Sequence, residues 1–121
     1  MTTSSEFLDF LVEHLEPLGA VSARRMFGGA GLFCDGLMFA LIADDKLYLK
    51  ADADNETDFI DAGLEPFLYE RRDKPAVTMS YREAPEAALD DPDVLVDWAR
   101  SAFGAALRAD KAKRKPKRHR R

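Results

Sequence analysis

The sequence has little of the chemistry that catalysis and metal binding require. Its 121 residues include one cysteine, Cys34, and two histidines, His14 and His119. A lone cysteine excludes an internal disulfide and fits a reducing compartment. No CxxC or HxxxH spacing is present to hold a metal, and Cys34 is expected to be a buried structural thiol. We therefore expect no catalytic residue, no metal and no cofactor.

Long apolar runs are also absent. The longest, 37–43, has the length of a strand and falls short of the roughly 18 residues that a membrane-spanning helix needs. The first residues lack the basic segment and the following apolar segment of a secretory signal. The sequence therefore predicts a cytoplasmic, non-enzymatic protein with no membrane partner.

Acidic residues are missing from the C-terminal end, which holds eight cations: Lys111, Lys113, Arg114, Lys115, Lys117, Arg118, Arg120 and Arg121. Residues 1–110 keep the other ten of the 18 basic residues and all 22 acidic ones, a net charge of −12. The basic C-terminal segment has no large apolar residue and cannot build a core. We therefore expect a domain of residues 1–109 followed by a disordered tail, 110–121. The tail is suited to non-specific binding of nucleic acid through counterion release. Folding back on the acidic body, or a purely solubilising role, is the alternative.

The first half of the chain predicts one helix and then four strands. Thr3 and Glu6 have capping-box spacing for a helix over 4–16, and its apolar stripe is Phe7, Leu8, Leu11, Leu15 and Leu18. Strands are predicted over 21–27, 30–34, 37–43 and 46–51. They are separated by tight turns at Gly28-Gly29, Asp35-Gly36 and Asp44-Asp45.

The second half predicts a helix over 54–62, two strands over 67–70 and 76–82, and a last helix. In the first helix Asp52 or Asp54 is the expected cap, and Phe59 and Ile60 are expected to face the sheet. The last helix begins after Asp91 and runs to about Ala109, with a stripe that includes Trp98 and Leu107. Hairpins with segregated helices favour an α+β two-layer sandwich, an antiparallel sheet of about six strands with three helices on one face. The other face is left to solvent or to a homodimer contact.

The segment Arg24, Arg25, Met26, Phe27, Gly28 and Gly29 is the candidate interaction motif. Strand alternation puts one of the two arginines on the apolar face. That arginine is either an edge-strand charge with a packed stem or an anchor for an anionic partner or a protein interface. A phosphate-loop interpretation of the glycines is weak, because they lie between two strands and do not open a helix.

Residues 25–33, RMFGGAGLF, resemble the hallmark of TfoX/Sxy N-terminal domains, with Arg24 or Arg25 in the arginine position. The resemblance continues in 36–42, 47–51 and 79–85 and with Trp98-Ala99, and it covers about 5–109. It implies a secretion-chaperone-like sandwich and a regulator of natural competence that works with a transcriptional activator. The family has no established catalytic residues to carry over. In its long form a C-terminal domain stands where this sequence has the basic tail.

These observations favour a regulatory or adaptor domain that acts through protein contacts, as a monomer or a dimer, with a tail that has affinity for nucleic acid. Two alternatives stay open. One is a protein-interaction module whose tail is incidental. The other is a small-ligand binder or enzyme with a pocket near Arg25 and Gly28-Gly29.

Overall fold

A computed structural model describes residues 4–26, 28–71 and 74–114, with the backbone alone for 69–71, 74–79 and 114. Its elements follow one another as α1 Ser5–His14, a 3₁₀ turn Glu16–Leu18, β1 Val21–Met26, β2 Gly29–Cys34, β3 Leu37–Ala43, β4 Lys46–Lys50, α2 Glu56–Asp61, β5 Pro66–Arg71, β6 Lys74–Glu83, α3 Ala87–Asp90 and α4 Pro92–Arg114. The four-residue helix α3 is the one helix in this series that the sequence pattern did not predict.

The six strands form one antiparallel sheet in the order β1-β2-β3-β4-β6-β5. The first four strands are consecutive neighbours, as successive hairpins require, and β6 then pairs with β4 while β5 lies outside it. Strands β1 and β5 are therefore the two edges. The predicted α+β sandwich with a six-stranded antiparallel sheet is confirmed.

Three tight turns set the register of the first four strands. At Asp35 and Gly36 the φ angles are +53° and +78°, the positive pair that a type I′ hairpin turn needs. Asp44 and Asp45 adopt the same geometry, with φ of +53° and +59°, without a glycine. Aspartate tolerates this left-handed region because its short polar side chain bonds locally. In the first turn Gly28 has φ +78°, and Gly29 already belongs to β2, one residue earlier than predicted.

The core lies between the inner face of the sheet and the helices. Its fully buried side chains include Leu11, Leu15, Leu32, Phe39, Ile42, Leu49, Phe59 and Leu95. Leu32 pairs with Ala40 and Phe33 with Met38, so Phe39 is an extra residue, a β-bulge. The Phe39 ring packs edge-on against Phe103 at 6.3 Å. Strand β3 is an interior strand, as its apolar sequence predicted.

Helix α1 begins one residue later than the capping-box spacing predicted. Its N-cap is Ser4, whose hydroxyl accepts a hydrogen bond from the Phe7 amide at 3.1 Å. The Ser4 amide in turn donates to the Asp45 carboxylate at 2.8 Å, which joins the helix to the β3–β4 turn. Thr3 lies outside the described residues. The helix ends at His14, because Pro17 cannot continue it and a 3₁₀ turn follows.

Two predicted core contacts are wrong. Ile60 is 54% exposed and Leu107 is 48% exposed. Helix α2 has only six residues, and its single buried side chain is Phe59, so the next residue, about 100° further round the helix, turns to solvent. Leu107 lies one position beyond Ala106, where the buried stripe of α4 ends.

Asn55, a residue without a predicted role, ties three elements together. It is 5% exposed, and its amide group donates to the Lys50 carbonyl at 3.2 Å and to the Ser101 carbonyl and hydroxyl at 3.2 and 3.1 Å. Its carbonyl accepts from the Asp52 amide at 2.7 Å. A buried amide whose bonds are all made fixes the relative positions of β4, α2 and α4.

Asp52 was one of the two predicted caps of α2, and it acts from the preceding turn. Its carboxylate accepts from the amides of Asp54 and Asn55, while Asn55 stands at the cap position itself. The guanidinium of Arg108 on α4 donates two hydrogen bonds to the Asp52 carboxylate, of 2.7 and 3.0 Å. These bonds hold the pKa of Asp52 below its ordinary value.

Replacing Asn55 by leucine removes the hydrogen bonds of the Asn55 side chain while keeping a side chain of similar volume. We expect the free energy of unfolding to fall by about 2–3 kcal/mol, because the backbone groups of Lys50, Asp52 and Ser101 lose a buried partner. Urea denaturation followed by circular dichroism measures the change. The exposed Thr57→Ala on the same helix is the control and should change stability by less than about 0.5 kcal/mol. Equal midpoints for the two variants would contradict the role of Asn55.

Two glycine-to-alanine substitutions should have opposite effects. A Cβ at Gly29 would collide with the carbonyl oxygen of Ile42, so β2 and β3 would have to separate. We expect Gly29→Ala to destabilise the fold by at least about 2 kcal/mol. In α4 a Cβ at Gly104 would meet only the Arg108 guanidinium, at 3.5 Å. Gly104→Ala should therefore stabilise by about 0.5–1 kcal/mol through helix propensity. Thermal denaturation distinguishes the two, and a neutral Gly29→Ala would be the contradicting result.

Candidate interaction surface

The two arginines of the interaction motif face opposite sides of the sheet. Arg25 pairs with Ala30 on the helix-bearing side, and its guanidinium donates to the Ser5 hydroxyl at 3.0 Å. It thereby links edge strand β1 to the start of α1. Arg24 pairs with Gly31 and lies on the other side, with its guanidinium 4.8 Å from the centre of the Phe33 ring. The sequence could place one arginine on each side, but the sides themselves follow from where the helices pack.

The side of the sheet opposite to the helices, called here the outer face, carries a continuous set of large side chains. The pairing register puts on it Arg24, Met26, Phe33, Met38, Leu41, Tyr48, Phe67 and Tyr81. All except the exposed Arg24 and the buried Tyr81 are half-buried by one another. None of the eight belongs to the core in which α1 and α4 pack. In the described ranges the outer face therefore has no helical layer of its own.

The centre of the β1–β3 part of this face is a glycine covered by methionines. A Cβ at Gly31 would lie 3.0 Å from the Met38 sulfur and 3.1 Å from the Met26 terminal methyl group. The two side chains therefore lie across Gly31. Gly28 lies in the β1–β2 turn and Gly29 and Gly31 belong to β2, so these glycines do not open a helix, as the sequence indicated. Met38 was missed as a site residue, because its position opposite Met26 depends on the register across three strands.

The β4–β6 part of the outer face is aromatic. The rings of Tyr48 and Phe67 meet edge-on at 4.8 Å, and the Lys50 ammonium lies 5.0 Å from the Tyr81 ring centre. Burial raises the pKa of Tyr81 to about 12. Burial first, and then the charges of Glu83 and Asp44, raise the pKa of Tyr48. Both shifts favour the neutral phenol, the form that a partly apolar surface accommodates.

Cys34 and the histidine of α1 both lie in structural surroundings. Cys34 is buried, and burial together with the neighbouring Asp35 charge raises the pKa of its thiol, which disfavours the nucleophilic thiolate. His14 uses its Nδ1 atom for a 2.8 Å hydrogen bond with the Phe10 carbonyl. Over 4–26, 28–71 and 74–114 no group of three or more His, Cys, Asp or Glu residues is placed to hold a metal. No helix in these ranges is both long and apolar enough to cross a bilayer.

Three shallow grooves of about 360–420 Å³ lie elsewhere on the molecule. One runs between α2 and α4 beside Trp98, and a second is lined by Tyr81 and Arg82. The third lies beside Leu47 and Leu89. None of the three includes Arg25, Gly28 or Gly29, so they lend no support to a ligand pocket at the β1–β2 turn.

The basic segment begins on a helix. Helix α4 continues to Arg114, five residues beyond the predicted end, and Lys111 and Lys113 are exposed on its last turn. Cations at this position interact favourably with the negative end of the helix dipole. The disorder predicted for 110–121 therefore does not describe residues 110–114. The other tail cations, Lys115, Lys117, Arg118, Arg120 and Arg121, lie outside the described residues, as does Phe27 of the motif.

Sequence comparison with known proteins agrees with the family resemblance that the motif indicated. The family model of the TfoX N-terminal domain matches residues 13–106. DNA transformation protein TfoX1 of Aliivibrio fischeri is 30% identical over 89 residues, 74% of this chain and 42% of that protein. Protein Sxy of Escherichia coli is 27% identical over 96 residues, 79% of this chain and 46% of its own length.

The chain thus spans less than half the length of both of these relatives. The matched region runs from the last turn of α1 to the end of the buried stripe of α4 and includes the whole sheet, so it takes in the motif hairpin and the outer face. The resemblance inferred from residues 25–33 is confirmed. Because the family model matches most of its length, the chain belongs to the TfoX N-terminal domain family.

Proposed function

We propose that this chain is a non-enzymatic regulatory or adaptor domain of DNA transformation in the cytoplasm. It acts through contacts with a protein partner, and its basic C-terminal segment provides non-specific affinity for nucleic acid. Membership of the TfoX N-terminal domain family supports the proposal, as does the name of the Aliivibrio fischeri relative. The resemblance to competence regulators implies that the partner is a transcriptional activator.

The outer face carries the protein-contact part of the proposal. It is an apolar surface that lies outside the core, and Arg24 and Met26 of the family motif are on it. Contiguous apolar patches at the surface of a soluble domain mark interaction sites. Burial raises the pKa of the Cys34 thiol, which disfavours the thiolate that nucleophilic chemistry would need.

Charge separation supports the nucleic-acid part. Residues 1–110 carry a net charge of −12, which repels a polyanion, while residues 111–121 carry eight cations and no acid. Lys111 and Lys113 are exposed at the end of α4 and accessible to a phosphate backbone. Affinity for nucleic acid must then come from the tail and must depend on salt.

Replacing the eight tail cations by glutamine tests the nucleic-acid part without shortening α4. We expect the full chain to bind a random duplex with an affinity that falls steeply with salt, the slope of log K against log[salt] being up to about −7 for eight neutralised phosphates. The glutamine variant should lose this binding. Fluorescence anisotropy of a labelled duplex across a salt series measures both proteins.

The control is a variant with residues 111–121 in scrambled order, which keeps composition and charge. It should bind as the original chain does, because counterion release does not depend on the order of the cations. Binding that survives in the glutamine variant would overturn this part and favour an interaction module with an incidental tail. Loss of binding in the scrambled variant would show that tail sequence matters, against a non-specific role.

The transformation part is tested in the organism that encodes the chain. Deleting its gene should lower the frequency of DNA uptake and transformation at least tenfold, and the intact chain supplied from a plasmid should restore it. The Asn55→Leu variant, which we expect to be destabilised, serves as the negative control for restoration. An unchanged frequency after deletion would contradict a role in transformation.

A further inference from the structure

We propose that the β1–β3 part of the outer face binds an amphipathic helix of a partner protein, with an acidic residue placed on Arg24 and an aliphatic side chain seated over Gly31. This inference rests on the proposed function, because it names the kind of partner that the adaptor contacts. Three observations carry it: the charge of the face, the methionines across Gly31, and the way in which the other face of the same sheet is already covered.

Charge selects an acidic partner. On the outward positions of β1, β2 and β3 the one charged residue is Arg24, and it is exposed. These outward positions hold no carboxylate, so an acidic segment that lies on the three strands contacts Arg24 without a competing acid on the same strands. The guanidinium is held over the Phe33 ring at 4.8 Å. It is thereby oriented before a carboxylate arrives, which lowers the entropy cost of the contact.

Met26 and Met38 form an adaptable binding position for an aliphatic side chain of the partner. Met26 and Met38 lie across Gly31, where the absent side chain leaves space that both thioethers fill. Methionine side chains are unbranched and change rotamer at low cost, which suits surfaces that must accept a partner side chain. When the two side chains swing apart, the backbone of Gly31 forms the floor of a hollow walled by Phe33 and Leu41. A leucine or isoleucine side chain would bury apolar area there.

A helix is the element that this sheet already binds. On the inner face α1 and α4 cover the sheet with apolar stripes, and a sheet that is apolar on both sides of β3 needs a second layer to bury its other side. A second copy of the chain offers the same cation and no carboxylate on these strands, so it does not complement Arg24. The chain's own basic tail is repelled by Arg24 for the same reason.

The experiment uses the full chain and two labelled peptides of about 20 residues, long enough to form a helix. One has leucines along one helical face and glutamates on the other, and the second has lysines in place of the glutamates. We expect the glutamate peptide to bind at least about tenfold more tightly at low salt, by fluorescence anisotropy. Methyl resonances of carbon-13-labelled methionines should shift for Met26 and Met38 when the glutamate peptide is added.

Arg24→Glu should reverse the preference between the two peptides. The matched control is Arg100→Glu, an exposed arginine on α4 in the opposite layer, which should change each affinity by less than about twofold. Urea denaturation establishes that both variants are folded. A second variant, Met38→Gln, keeps the charge and should weaken the glutamate peptide several-fold, because the hollow over Gly31 becomes polar.

Any of three peptide-binding results would overturn the inference: failure of the glutamate peptide to bind, equal binding of the two peptides, or an Arg24→Glu variant that keeps the original preference. Sedimentation that shows a dimer, dissociated by Arg24→Glu, would assign the face to a second copy and would also overturn it. The proposed function fails separately, in the transformation and duplex-binding measurements. If those succeed and the peptide result is negative, the adaptor uses another surface.

Discussion

The close approach of β2 to its neighbours is the constraint on which both layers of the molecule depend. Gly29 admits the Ile42 carbonyl oxygen where any side chain would collide, and Gly31 leaves the space that Met26 and Met38 fill. The first contact lets the start of β2 pair closely with the end of β3 beneath the helices. The second shapes the outer face. The family motif therefore combines a packing requirement with a surface feature, two positions apart on one strand.

Polar contacts then fix how the last helix lies on this sheet. The Asn55 amide bridges the end of β4 to Ser101, and the Arg108 guanidinium holds Asp52 in the turn before α2. Apolar side chains alone would tolerate sliding of α4, because alanines such as Ala99 and Ala102 form much of its buried stripe. A buried amide and a two-bond carboxylate contact are directional, so they select one position.

Charge is unevenly distributed along the sequence. Residues 1–110 carry a net charge of −12, while residues 111–121 carry eight cations and no acid. The cations Lys111 and Lys113 are on the last turn of α4, whereas Arg24 is on β1 at the outer face. The polyanion and the acidic protein segment proposed above would therefore contact separate elements of the molecule.

The sequence by itself determined the order of the six strands and of helices α1, α2 and α4, the type I′ turn at Asp35-Gly36, the interior position of β3 and the membership of the family. These follow from local turn chemistry, alternation and a contiguous motif, which act over a few residues. Only part of the candidate site could be predicted from the sequence. The sequence singled out Arg24 and Met26, but Met38, Phe33 and Asn55 acquire their roles from partners on other strands or 46 residues away. Only tertiary structure decided which arginine faces outward, because register and helix placement are set by contacts between distant segments.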